Sequence, residues 1–203
     1  MVTVPDRLTK GGKFDLLPVH SDCIPGLFEA IFESKEHLSP WMHWCHPDYS
    51  INETQLWVES RSDAWEQGRE YSFLIVDPRS NQIVGNCGLD HVHETHRFAN
   101  LGFWVRTSRT RQGAATEATQ LLSEFGFSAL NLARIEIVVA VGNFPSLRVA
   151  EKAGALREGL LRNRLIHRGA PRDAYMFSLL PPTSVACDAA ARRWFGAAGQ
   201  TLG

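Results

Sequence analysis

The chain has 203 residues, long enough for one domain with a sizeable core. An apolar fraction of 44% and a charged fraction of 21% are ordinary for a globular protein, and a formal net charge of -1 excludes the global basic field of a nucleic-acid binder. No apolar run approaches the roughly 20 residues that span a bilayer, and the polar first residues carry no hydrophobic signal core, so a cytoplasmic protein with no membrane partner is expected.

Residues 1–12 are polar and read as a flexible N-terminus. Residues 13–19 read as a first strand. His20, Ser21 and Asp22 then offer caps for a helix over 23–35, with Ile24, Leu27, Phe28, Ile31 and Phe32 at helical spacing. The loop over 38–47 sets Trp41, Met42, His43, Trp44, Cys45 and His46 between prolines. A second helix is predicted over 52–67, with Leu56, Val58, Ala64 and Trp65 apolar and Gly68 ending it. Strands over 71–76, 82–89 and 97–105, joined by a turn at 77–81 and a His-rich loop at 90–96, predict an antiparallel meander.

A basic, small-residue turn follows, then a long helix with Ala115, Ala118, Leu122, Phe125 and Ala129 on one face, ending near Asn131. Ile135, Ile137, Val139 and Val141 alternate along a buried strand, which completes a βαβ unit with parallel strands. Pro145 opens a short helix over 146–153 that stops at Gly154. Residues 158–167 and 173–180 form a closing hairpin, and Pro181-Pro182 ends the domain, which therefore runs over 13–182. The Ala- and Gly-rich tail over 183–203 allows one short helix at 188–195. Cys23, Cys45, Cys87 and Cys187 are scattered and read as reduced thiols.

The turn over 109–118 carries the chemistry. Arg111, Gln112, Gly113, Ala114, Ala115 and Thr116 lie between a strand and a helix N-terminus, where free backbone N–H groups and the helix dipole suit a phosphate or pyrophosphate. The turn lacks both the P-loop and the dinucleotide-fold glycine patterns, so it is not a standard nucleotide loop. Its bland alternative is a plain strand-to-helix turn with solvated Arg109 and Arg111.

With this order of elements the sequence resembles the GNAT acyltransferase superfamily, and most closely its Rim-type branch, the ribosomal-protein N-terminal acetyltransferases. Thr110, Gly113 and Ala115 fall on the three fixed positions of the acetyl-CoA motif [QR]-x-x-G-x-[GA]; the glycine and alanine match, and Thr110 departs from Gln or Arg. Asn143, Ser146 and the run Glu151-Lys152-Ala153-Gly154-Ala155 resemble the following N-x-x-[AS] and E-K-x-G-[FA] segment. Ala150 stands where many members have a Tyr general acid. The resemblance implies an α+β fold, a mixed and mostly antiparallel sheet flanked by helices. It also implies an enzyme that uses acetyl-CoA, without a metal, to acetylate a primary amine. The acceptor it implies is a protein or peptide N-terminus, ribosomal proteins included. A small amine or an antibiotic is the alternative acceptor, and a CoA-binding sensor without turnover the alternative of another class.

An amine that attacks a thioester must lose a proton, and the oxyanion needs donors, which backbone N–H groups of the strand at Phe103, Trp104 and Val105 can supply. The resemblance implies Ser146 as the acid and Glu158 as the base; the alternatives are a helix cap for Ser146 and an ion pair with Arg157 or Arg162 for Glu158. Asn143 would bond the pantetheine amides, and Arg148 and Lys152 would meet CoA phosphates. Trp41, His43 and Trp44 are expected either to wall the acceptor site or to staple the loop into the core. His91, His93 and His96 are weighed as a metal site and rejected for want of a completing ligand set. A homodimer through the closing hairpin and a long sheet edge is a further expectation.

Overall fold

The computed structural model describes residues 3–182; the expected tail, its short helix and Cys187 lie outside the described residues. Seven strands form one sheet in the order β1-β2-β3-β4-β5-β7-β6, where β1 is Asp15–Pro18, β2 Tyr71–Asp77, β3 Gln82–His93, β4 Phe98–Val105, β5 Arg134–Ala140, β6 Leu156–His167 and β7 Ala170–Leu179. Only the β4–β5 pairing is parallel. Helices α1 (Ile24–Leu38) and α2 (Ile51–Glu66) connect β1 to β2, α3 (Ala114–Ser128) connects β4 to β5, and α4 (Phe144–Lys152) connects β5 to β6. This is the mixed α+β sheet that the sequence predicts, with the meander and the βαβ unit in their expected places.

Strand β2 shows why the sheet lies between layers. Tyr71, Phe73 and Ile75 join the core beneath α3, with Leu101, Leu122, Phe125 and Ile137, while Leu74 and Val76 join a second core beneath α1, with Leu27, Ile31 and Val58. Period-two alternation thus feeds both faces. The second helix is capped by a box in which Ser50 and Glu53 bond each other's backbone N–H. Leu56, one of the apolar residues that mark this helix, is 66% exposed. On α3 the buried stripe is Ala114, Ala118, Leu121, Leu122 and Phe125, so the predicted face is corrected: Ala129 is exposed and Ala115 only half-buried. Leu8 pairs with Leu16 in an isolated antiparallel bridge, both N–H···O distances being 2.9 Å.

The strand β3 runs on to His93, through what the sequence predicts as a loop. A register shift between Asp90 and His93, with His91 at φ 51°, breaks the alternation that would set His91 and His93 on one face. Among the described residues no group of three or more His, Cys, Asp or Glu side chains could hold a metal ion. The hairpin β6–β7 turns through Arg168 (φ 50°) and Gly169 (φ 77°), the two left-handed positions of a tight two-residue turn. No helix among the described residues is long and apolar enough to cross a membrane.

Candidate active site

The site begins where β4 and β5 part. They pair only at Phe98–Arg134, Ala99–Ile135 and Asn100–Glu136. Beyond Asn100 the two strands diverge, while β4 stays paired with β3 to its end. Arg106 donates its N–H to Val84 (2.8 Å), which sets the antiparallel alternation. Gly102 and Trp104 therefore spend their backbone groups on β3, and Leu101, Phe103 and Val105 turn theirs towards the gap. Trp104 is thereby corrected as a donor: its backbone is taken, and its ring, 8% exposed, packs in the second core against Trp44 at 6.2 Å between centroids.

The turn after β4 is built firmly. Arg106, 4% exposed, donates to Glu33 (Nε, 2.9 Å), Glu29 (2.8 Å) and the Ile83 carbonyl (3.3 Å). Glu33 also accepts the Ser108 N–H (2.8 Å), and Ser34 accepts that of Thr107 (2.9 Å). The Arg106 guanidinium holds the Glu33 carboxyl down at about 2. Arg109 is not solvated either: it donates to Asp77 and to Gln82 (3.2 Å) at the β2–β3 turn. What this frame presents is Arg111, Gln112 and Gly113, all exposed, with Arg111 at φ 61° and Gly113 at φ 91°. Gly113 is the N-cap of α3, no side chain caps the helix, and a Cβ built on Gly113 meets no atom within 4 Å. The first N–H groups, of Ala114, Ala115 and Thr116, have no capping partner among the described residues and lie at the positive end of the helix dipole.

The next helix starts at the same end of the sheet. Asn143 is the N-cap of α4 and accepts the Ser146 N–H (3.3 Å) through its side chain, so Asn143 and not Ser146 is the cap. The Ser146 hydroxyl has no partner among the described residues and is half-buried. Ala150 is 0% exposed, so a packed methyl group occupies the position where many GNAT proteins have Tyr. Arg148 and Lys152 are exposed on α4.

Glu158 requires correction as a base. Arg134 donates to both its oxygens (2.7 and 2.5 Å), and Ser178 donates a third bond (2.6 Å). The Arg134 guanidinium, then the Ser178 hydroxyl, hold the carboxyl below its usual range. A carboxylate so satisfied is a poor proton acceptor near neutral pH. It is the ion pair of the alternative reading, with Arg134 as the partner in place of Arg157 or Arg162.

The loop between α1 and α2 divides its aromatics. Trp44 staples the loop, packing on Trp104 and on Tyr49 (5.6 Å). Trp41 and His43 instead line a small pocket with Pro40, Ala140, Leu165 and His167. The Trp41 ring lies 3.8 Å from where Gly142 would carry a Cβ, so it abuts the β5–α4 turn beside Asn143. Sequence reasoning missed His167, which is 7% exposed and lowered in pKa by burial, then by the charges of Arg172, Arg168 and His43.

Residues 14–156 match the model of the acetyltransferase (GNAT) domain. The chain belongs to the GNAT acetyltransferase family. It is 31% identical over 134 residues to the uncharacterized N-acetyltransferase p20 of Bacillus licheniformis, covering 66% of this chain and 75% of that one. It is 23% identical to the ribosomal-protein-serine acetyltransferase of Escherichia coli, over 81% of this chain and 90% of that one. Its fold superposes on RimJ of Mycobacterium smegmatis in complex with CoA-disulfide with a TM-score of 0.76 and 26% identity, covering 91% and 94% of the two chains. This GNAT protein is an N-acetyltransferase that uses acetyl-CoA as cosubstrate. The residues fit that molecule: an open strand edge suits an amide-bearing arm, and an uncapped helix N-terminus behind Gly113 suits a pyrophosphate.

Proposed function

We propose that the enzyme acetylates the α-amine of a protein or peptide N-terminus. Acetyl-CoA supplies an activated acetyl group as a thioester. The N–H groups of Phe103 and Val105 stand in the gap as donors for the developing oxyanion. Arg111 to Thr116 hold the pyrophosphate, with Arg148 and Lys152 adding positive charge. Asn143 keeps its amide NH2 available to the arm while its oxygen caps α4. The unpartnered Ser146 hydroxyl protonates the departing sulfur.

The observation that carries the acceptor assignment is the pocket of Trp41, His43 and His167 at the C-terminal end of β5. It is small, its walls mix Pro40, Trp41, Ala140, Leu165 and Ile166 with His43, His167 and Arg172, and Arg168 is exposed beside it, which suits the first residue of a chain more than a polycation. The name of the Escherichia coli relative, a ribosomal-protein-serine acetyltransferase, favours the same class of acceptor. Release of CoA thiol, measured with N-terminal peptides, the same peptides N-blocked, lysine and spermidine, tests the reading. Free N-terminal peptides should turn over at least tenfold faster than the rest. Equal or faster turnover of spermidine would replace the peptide by a small amine, and acetyl-CoA binding with no acceptor active would favour a sensor.

A further inference from the structure

We infer that His167 is the catalytic base of the reaction, taking the proton that the acceptor amine loses. The inference rests on the acceptor pocket proposed above. His167 closes β6 immediately before the hairpin turn and faces the loop of Trp41 and His43. It is 7% exposed, yet neither ring nitrogen has a hydrogen-bond partner among the described residues, and neither is sealed away from the surface. Ring nitrogens that are open to the surface and unengaged by the protein are free to bond whatever enters the space beside them. Here that space is the pocket itself, and its other walls hold no carboxylate. The base implied by the family resemblance, Glu158, is spent on Arg134 and Ser178.

The groups that face His167 are His43 from the α1–α2 loop, Arg168 from the turn and Arg172 from β7, all of which favour the neutral ring. Burial acts in the same direction. A neutral imidazole accepts a proton as the amine nitrogen forms its bond to the acetyl carbon. The C–S bond then breaks with its electron pair on sulfur. The sulfur takes a proton, through Ser146, and the imidazolium returns its own to water, so that amine and thioester become amide and thiol. The same positive charges disfavour an ammonium in the pocket, which helps the acceptor enter as the free amine.

The test is the pH dependence of kcat/KM for the best acceptor of the panel, in the native enzyme and in His167→Gln. Below the pKa of the acceptor amine, log kcat/KM should fall with a slope of 1, steepening to 2 once His167 also protonates. His167→Gln should lower kcat by about 100-fold or more and keep a slope of 1 throughout, with the KM for acetyl-CoA unchanged. A slope of 2 that survives in His167→Gln, or a kcat within threefold of native, would overturn the role. A second readout needs no turnover: the His167 ring resonance should move when acceptor peptide is added to the CoA complex. If peptides fail and another amine is acetylated, the peptide reading falls while the slopes still decide His167. A resonance unmoved by any amine overturns the base assignment by itself.

Discussion

Gly113 decides more than its size suggests. Its φ of 91° is a conformation that side chains with a Cβ rarely adopt, and its position leaves the first amides of α3 uncovered. Gly113→Val should weaken acetyl-CoA binding by about tenfold or more, through backbone strain and through a side chain standing before those amides. Isothermal titration measures the affinity, and a melting curve checks that the fold persists. Unchanged affinity would mean that the pyrophosphate lies elsewhere. Glu158 teaches the opposite lesson at the same scale. A residue placed by motif resemblance can be held by neighbours that the motif does not mention, here Arg134 on β5 and Ser178 on β7.

At the scale of elements, the β4–α3 turn is held by α1 through Arg106, Glu29 and Glu33. The folded pKa of Glu33, about 2, lies below its ordinary value of 4.5. Its contribution to stability is therefore complete above about 4.5 and lost as pH falls from there towards about 2. Urea denaturation across that range should show stability falling with acid, and Glu33→Gln should flatten the fall. A variant with the native slope would show that other carboxylates carry it. Most of these elements were legible in the sequence, since alternation marks β5 and caps mark α2 and α4. The anchoring was not, because Arg106 finds its partners on a helix far upstream, and spacing along the chain carries no such pairing. The His91–His93 alternation failed for a local reason, a bulge that no periodicity announces.

At the scale of the molecule, the parting of β4 from β5 and the meeting of the α1–α2 loop with the closing hairpin make the proposed site. The turn proposed to hold the donor is visible as a motif, because its residues are contiguous. The acceptor pocket was visible only in part. Trp41 and His43 stood out by composition, whereas His167 and Arg172 join them through the hairpin's position beside β5. The proposed enzyme thus has a donor half at Gly113 and Asn143 and an acceptor half at Trp41 and His167. Steady-state kinetics of Trp41→Ala with an N-terminal peptide test that division most directly. The KM for the peptide should rise about tenfold or more with the KM for acetyl-CoA unchanged, whereas an unchanged peptide KM, or an equal rise in both, would contradict it.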